Sequence, residues 1–501
     1  MAAAMLAACS GGSNTPNATS TGGSAGHTSQ TLHLTQSAAP GSFELGNWSG
    51  AESILSTAVY DPIVGVGLDG KLAPGVAKSW EYNADHTQLT FHIRTGTKFT
   101  DGSPVDAQAV VTSIEALRKG PVTSGVWSAV SKVEATDDST VVLTYSAPYA
   151  ALLPSLNGPN GAIASPKSVG QASAKQDPVG SGPYVLNKAS TVVGSKYVLD
   201  RNPDYWNAKA YPFDHVDVTI IADPTASQNA LRSGQVDVIA AGIAPDVVAT
   251  FPKGQFSSGE NTPTAVGVIY LADRAGTVVP ALANEKVRQA INLAFDRDTI
   301  AAKLVGKGSA ATNQVVNPKG GAYSKDLEAK TPYDVKKAKQ LMADAGYGGG
   351  FDVTMPSTVY TTQFESTISQ SLADIGIKVT WEPVPFQDFF TKVFQQTYGM
   401  FFMYNGLTPA PSMDVSSNLT GLFNPFGTKT PELDALLVKA NAADDATSDD
   451  AWKAANAYLV DNSWFAPLNS TTGFWVSSKK VVYTPPVQYG VNLLPYAPAA
   501  G

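Results

Sequence analysis

Residues 72–110 read LAPGVAKSWEYNADHTQLTFHIRTGTKFTDGSPVDAQAV, a stretch that passes from strand to turn to helix with each change signalled by its residues. Leu89 to Ile93 suits a strand, and Phe91, Ile93 and Phe99 are expected in the core, with His92 between them exposed rather than ligating. Asp101-Gly102 supplies a turn, since glycine tolerates the left-handed backbone that a tight reversal needs. Asp106 is a good N-cap, because its carboxylate can accept the free N–H groups of a first helical turn. Beyond it Val110, Ile114 and Leu117 fall on one face, and Gly120-Pro121 closes the helix.

Either side of this stretch the same signals recur. Thr31 to Gln36 alternates apolar and polar residues, as a half-buried opening strand does, and further strands are predicted at 141–145, 197–200, 216–221, 266–272 and 377–381. Helices are predicted over 285–304, 333–345, 363–375, 386–396, 431–442 and 450–459. Strands and helices are interspersed throughout, which makes the fold class α/β. No internal repeat is evident. With 501 residues, 43% of them hydrophobic, the chain can bury a large core and should divide into two or three domains.

A net charge of −8, from 42 acidic against 34 basic residues, argues against a nucleic-acid partner and against an anionic membrane surface, both of which call for a basic face. No run of eighteen or more apolar residues is present, so no helical membrane span is expected. The single cysteine, Cys9, lies between Leu6-Ala7-Ala8 and Ser10-Gly11-Gly12 and resembles a bacterial lipobox, in which the cysteine is lipidated and becomes the first mature residue. Residues 10–30 are nearly all Ser, Gly, Thr, Asn and Ala, too polar to offset their chain entropy, and read as a tether reaching roughly 25 Å. Only Met1 to Ala8 precede the cysteine, fewer residues than a charged and an apolar signal region require, so a native start further upstream is expected.

The stretch 72–110 resembles the signature of solute-binding protein family five, the dipeptide- and oligopeptide-binding subunits of ABC importers. Supporting blocks follow in order: Tyr60-Asp61-Pro62, Gly180-Ser181-Gly182-Pro183-Tyr184, Asn202-Pro203-Asp204-Tyr205-Trp206, Gly234-Gln235-Val236-Asp237, Val287 to Ile291 running into Phe295-Asp296-Arg297, and Lys339 to Gly346 ahead of Phe351-Asp352-Val353. The resemblance implies a two-lobed periplasmic-binding-protein-like fold (type II, cluster C). Lobe one would comprise 31–48, 168–265 and 470–501, with an inserted subdomain at 49–167, and lobe two would be 266–469; residues 1–30 carry the signal remnant, lipobox and tether. It implies a monomeric extracytoplasmic receptor anchored to the outer face of the cytoplasmic membrane through a lipid on Cys9. Such a receptor binds a peptide or other small solute, needs no cofactor, and delivers its solute to an ABC permease and its ATPase subunits. The alternatives are a receptor for a neutral or aromatic-stacking solute such as an oligosaccharide or blocked peptide, and a solute sensor that feeds no transporter.

Other chemistry finds little support. Gly65-Val66-Gly67-Leu68-Asp69-Gly70 matches GxGxxG, but Pro74 and Gly75 forbid the helix whose N-terminus would receive phosphate, and Leu72 stands where a P-loop needs Ser or Thr. Gly22 to Gly26 fits GxSxG inside the tether, with no strand or helix around it. The histidines, His27, His33, His86, His92 and His215, have no metal-ligand spacing, and Asp137-Asp138 and Asp444-Asp445 read as solvated turns. No nucleophile, base and oxyanion donor assemble, so an enzyme is not expected.

In peptide-binding relatives an aspartate in lobe two takes the peptide ammonium, in a segment with an aromatic, two spacers, Asp, three spacers and Pro. Here the matching stretch is Tyr404-Asn405-Gly406-Leu407-Thr408-Pro409-Ala410-Pro411, with Leu407 at the carboxylate position. Relatives that bind dipeptides place an arginine near the helix around 357–368. Ser357 to Ile368 holds neither Arg nor Lys, and no arginine follows Arg297 anywhere. A guanidinium is the side chain best shaped for a carboxylate, so both ionic anchors for a free peptide are missing. Aromatic candidates for the cleft are Trp48, Trp127, Tyr360, Trp381, Phe386, Tyr404 and Trp475, of which three or four are expected in the core. Tyr404 and Asn405 are the leading candidates, followed by Asn47, Trp48 and Asn469, with Asp414 as a substitute anchor.

Overall fold

The structure, a computed structural model, describes residues 30–48, 53–488 and 492–500. Cys9, the tether and the Gly22 to Gly26 match lie outside the described residues. The signature stretch folds as its residues dictate. Asp106 accepts the amide of Ala109 at 2.8 Å and caps the helix Ala107–Lys119, whose Val110, Ile114 and Leu117 are fully buried. Gly102 takes the left-handed backbone (φ 78°) and Ser103 donates its amide to Asp101, closing the turn. Phe91, Ile93 and Phe99 enter the core. The glycine-rich stretch is a hairpin, Val64–Val66 against Leu72–Pro74.

A nine-stranded sheet organises the molecule. Its path runs Met400–Gly406, Phe256–Leu271, Phe465–Ser478, Val238–Ile243, Thr31–Gln36, His215–Ile220, Lys196–Arg201 and Tyr184–Leu186, with Ser309–Ala311 also paired to Phe465–Ser478. Two strands in it are long, Phe256–Leu271 with 16 residues and Phe465–Ser478 with 14, and they lie antiparallel. Residues 256–260 pair with 474–478, beside Val238–Ile243, whereas 265–271 pair with Met400–Gly406 and with the start of Phe465–Ser478. The register shifts between Glu260 and Ala265. Pro263 sits in that interval, and a proline has no N–H to offer a ladder. The side-chain oxygen of Thr472 instead donates to the carbonyls of Asn261 and Thr262 at 2.7 and 2.9 Å.

Packing divides at the same place. One core cluster gathers residues from Leu32 to Ala240 together with Val481, Tyr483, Leu493 and Tyr496. Two others draw on residues between Val266 and Leu468. Within the second lobe the sheet is covered on both faces, and the two-residue period of a strand sorts its side chains: Ile269 and Leu271 join one cluster, Val266, Val268 and Tyr270 the other. A four-stranded sheet, in the order Ala77–Tyr82, Gln88–Ile93, Thr140–Tyr145, Val130–Asp137, carries the helix Ala107–Lys119 and belongs to the first core. The architecture is the two-lobed α/β fold expected.

Two differences from the sequence reading concern length. The helix predicted over 285–304 is broken into Glu285–Leu293, Arg297–Thr299 and a π-helical Ile300–Val305. The break falls where Asp296 turns its carboxylate on the amide of Thr299 at 3.0 Å and caps a new turn, a local hydrogen bond that competes with helix continuation. The strand predicted at 266–272 is the apolar end of a strand twice as long, whose first half, Phe256 to Pro263, carries no apolar alternation.

The interlobe cleft and its anchors

Tyr404, Asn469 and Ser309 come together at the point where three strands meet. Asn469 has no solvent exposure; its amide nitrogen donates to the Tyr404 hydroxyl at 3.1 Å and to Ser309 Oγ at 3.0 Å. Burial raises the Tyr404 phenol above its ordinary pKa, so the hydroxyl stays protonated. Tyr404 pairs across the ladder with Gly267, where an added Cβ would lie 3.0 Å from Asn469 Oδ1 and from the tyrosine ring. A side chain at this position would have to push the ring or the amide aside. Sequence reading missed Ser309 and Gly267; an isolated glycine inside the run Val266-Gly267-Val268-Ile269 was the available signal. Tyr404→Phe is expected to cost about 1 kcal/mol in urea unfolding, because it takes one partner from a buried amide. An unchanged midpoint would show the contact to be immaterial.

Asn405, the other leading candidate, faces the opposite way. The alternation that sends Phe402 and Tyr404 to one core sends Phe401 and Met403 to the other, and Asn405 follows them, donating to Ser417 Oγ at 3.2 Å on the helix Pro411–Leu419. Leu407 packs partly buried against the same core, its amide bound to the Thr264 carbonyl.

The remaining candidates do not join this cluster. Trp48 is 2% exposed and lies edge-on to Phe43 in the first core. Trp127 is 1% exposed and donates to the Asn160 carbonyl. Both are large apolar surfaces that folding buries, and neither is free to line a cleft here. Asn47 binds Glu44 and borders a separate pocket with Tyr60, Lys119 and Gly120. Trp381 donates to Ser369 Oγ, tying the strand Ile377–Pro383 to the helix Thr362–Ala373. Trp475 lies over Gly259 and edge-on to Tyr483, in the half of its strand that belongs to the first lobe. Tyr360, by contrast, is 56% exposed and meets Phe386 edge-on at 4.7 Å.

The charged groups carry most of the chemical information. Three arginines lie in the second lobe, and all three are buried and committed to neutral oxygens. Arg274 stacks on Trp464 at 4.2 Å and donates to the Leu271 and Trp464 carbonyls and to Asn424. Arg288 holds the carbonyls of Leu282, Ala283 and Asn462. Arg297 donates to Pro467, Asn292 and Thr331. Burial, reinforced at Arg274 by the charge of Arg288, pushes Arg274 down to about 9 and Arg297 to about 10. Asp414, the substitute anchor, is equally occupied: one oxygen accepts the Asn317 amide, the other the amide and hydroxyl of Thr408, and burial raises it to about 7. It ties down the segment that follows Tyr404 rather than reaching out from it.

Between the four-stranded subdomain and the second lobe a cavity of about 190 Å³ opens. Leu72, Tyr82, His86 and Pro154 form one wall and the segment Thr408–Met413 the other, and among the described residues no Lys, Arg, Asp or Glu lines it. Among the described residues no cluster of three or more His, Cys, Asp or Glu could hold a metal ion, and no helix is long and apolar enough to cross a membrane.

Comparison with known proteins accords with this geometry. The chain is 30% identical over 352 residues to heme-binding protein A of Haemophilus influenzae, covering 62% of each. It is 28% identical over 366 residues to the periplasmic oligopeptide-binding protein OppA of the same species, covering 64% of this chain and 63% of that one. It thus spans somewhat under two thirds of the length of these curated relatives. The structure of AgaA of Agrobacterium tumefaciens R10 in complex with agropinic acid superimposes with a TM-score of 0.74 at 25% identity, covering 94% of this chain and 99% of that one. Residues 71–426 match the family profile, and the chain belongs to the bacterial extracellular solute-binding proteins, family 5.

Proposed function

We propose that this protein is the extracytoplasmic substrate-binding component of an ABC importer. In this reading residues 31–48, 168–265 and 470–501 form one lobe, 266–469 the other, and the two close on a solute about the crossing strands near Pro263 and Thr472. A lipid on Cys9 would keep the monomeric receptor beside its permease and ATPase. Peptide or oligopeptide uptake is the family default, and its relatives include heme-binding protein A, an oligopeptide-binding protein and a protein in complex with agropinic acid.

The solute that suits these residues lacks two free charged ends: a blocked or apolar peptide, or a neutral compound that stacks on rings such as Tyr404 and Tyr360. The observation that carries this reading is the engagement of Arg274, Arg288 and Arg297 with carbonyl and amide oxygens, which leaves no second-lobe guanidinium for a carboxylate. Burying a peptide ammonium or carboxylate without its counterion costs about 2–5 kcal/mol, or roughly 30- to 4,000-fold in affinity. The test is to denature the purified protein and identify the co-purified small molecule by mass spectrometry. An uncharged or end-blocked compound is expected. Stoichiometric recovery of a free dipeptide would overturn the reading.

A further inference from the structure

We propose that the inserted subdomain is a latch: a hairpin tip and a loop of residues 49–167 fasten onto the 408–412 and 441–444 segments of the second lobe and hold the clamp shut. This rests on the two-lobe closure proposed above. Three contacts cross the seam at separate points. Gly70, at the turn of the hairpin Val64–Val66 and Leu72–Pro74, lies so close to Pro409 that an added Cβ would be 3.0 Å from that proline's Cβ and Cγ. Ala150 donates its amide to Asn441 Oδ1 at 2.9 Å and accepts from Ser412 Oγ at 3.5 Å. His86 Nε2 lies 3.3 Å from Asp444 Oδ1.

The last pair has two features that local folding does not account for. His86 adopts a left-handed backbone (φ 55°), uncommon for a residue with a side chain, and is only 7% exposed although it occupies the turn between Ala77–Tyr82 and Gln88–Ile93. Its ring lies flat on Tyr82, with centroids 4.9 Å apart and planes 9° from parallel, which aims Nε2 across the seam. Asp444 stands at the N-cap of the helix Asp445–Asp461, where a carboxylate ordinarily binds the helix's own amides. It makes no such bond, and its Oδ1 faces His86 instead. Tyr82, His86 and Ala150 on one side and Ala443 and Ser448 on the other also wall the uncharged cavity, so these contacts close its rim. A subdomain outside the crossing strands thereby grips the second lobe across the seam.

The experiment uses the full chain without added solute. In a Cys9→Ser background, cysteines replace Gly70 and Pro409, whose Cβ positions are near disulfide range. Oxidation is expected to yield an internally cross-linked species that migrates faster on non-reducing gels. Adding His86→Ala, Asp444→Ala or Asn441→Ala should slow cross-linking about two- to fivefold, with the histidine and aspartate changes together no worse than either alone. Because a cysteine at Gly70 is strained, small-angle scattering of the cysteine-free chain gives a second readout, and the same three substitutions should enlarge the radius of gyration. Cross-linking and radius both unmoved by the substitutions would overturn the latch while leaving the clamp. A complete absence of cross-linking, with a wild-type radius already that of an open form, would refute the closed contact itself.

Discussion

Gly180→Ala is expected to destabilise this protein by roughly 4 kcal/mol or more, above the usual 1–3 kcal/mol for an overpacked core. The block Gly180 to Tyr184 runs across the end of the helix Ser53–Val59, and the Val59 carbonyl, with no partner inside its own helix, accepts the amide of Gly182 at 3.1 Å. A Cβ on residue 180 would sit 1.9 Å from that carbonyl oxygen, and one on residue 182 would sit 2.5 Å from the Ala58 oxygen. These obstacles are backbone atoms, which cannot rotate aside as a side chain would. The melting temperature should fall by about 5–10 °C, read by circular dichroism. Gly125→Ala, where a Cβ meets nothing within 4 Å, serves as the neutral control. If the two variants melt together, the glycine block is not held by this contact.

The second large effect is a dependence on pH. Asp61 is buried, and its oxygens accept the Tyr205 hydroxyl at 3.0 Å and the Trp206 indole N–H at 2.8 Å, with the Arg94 guanidinium 3.7 Å over the indole. Burial outweighs these interactions and pushes the carboxyl from 3.8 up to about 7. Between those values the folded chain holds a proton that the unfolded chain has released. The stabilisation from this group is therefore complete below about pH 4 and is lost as pH rises through about 7, amounting to about 4 kcal/mol at 1.36 kcal/mol per unit. Asp414, also raised to about 7 by burial, adds a change of the same sign. Stability from denaturant titration should thus fall from pH 5 to pH 8. Asp61→Asn, uncharged throughout, should remove about half of that slope and gain stability at pH 8. Asp61→Ala should lose stability at every pH, because two buried donors are left unpaired at about 1–3 kcal/mol each. An Asn variant whose profile parallels wild type would refute the assignment.

Both predictions come from blocks that the sequence marks but does not explain. Tyr60-Asp61-Pro62 and Asn202 to Trp206 stand far apart in the chain, and each reads as a loop; only folding brings the carboxylate of one onto the donors of the other. The strands and helices themselves were largely legible, because apolar spacing and caps act over a few residues. Asp106 before Val110, Ile114 and Leu117 is such a case. The strand Phe465–Ser478 was not legible, since both its faces are covered over part of its length and its apolar residues do not alternate cleanly. Nor was the break after Leu293, where a capping carboxylate outweighed a continuous helical pattern.

For the cleft, the sequence raised the expectation that an ordinary pair of peptide anchors is missing: no arginine follows Arg297, and the resemblance places Leu407 at the carboxylate position. Whether the earlier arginines could serve instead was a question of packing, and the tertiary structure answered it by enclosing Arg274, Arg288 and Arg297 among carbonyl oxygens. Adjacent Tyr404 and Asn405 likewise diverged, one toward Asn469 and the other toward Ser417. Spacing along a chain dictates which side chains share a face, but which face meets the other lobe depends on strand pairing between residues more than a hundred positions apart.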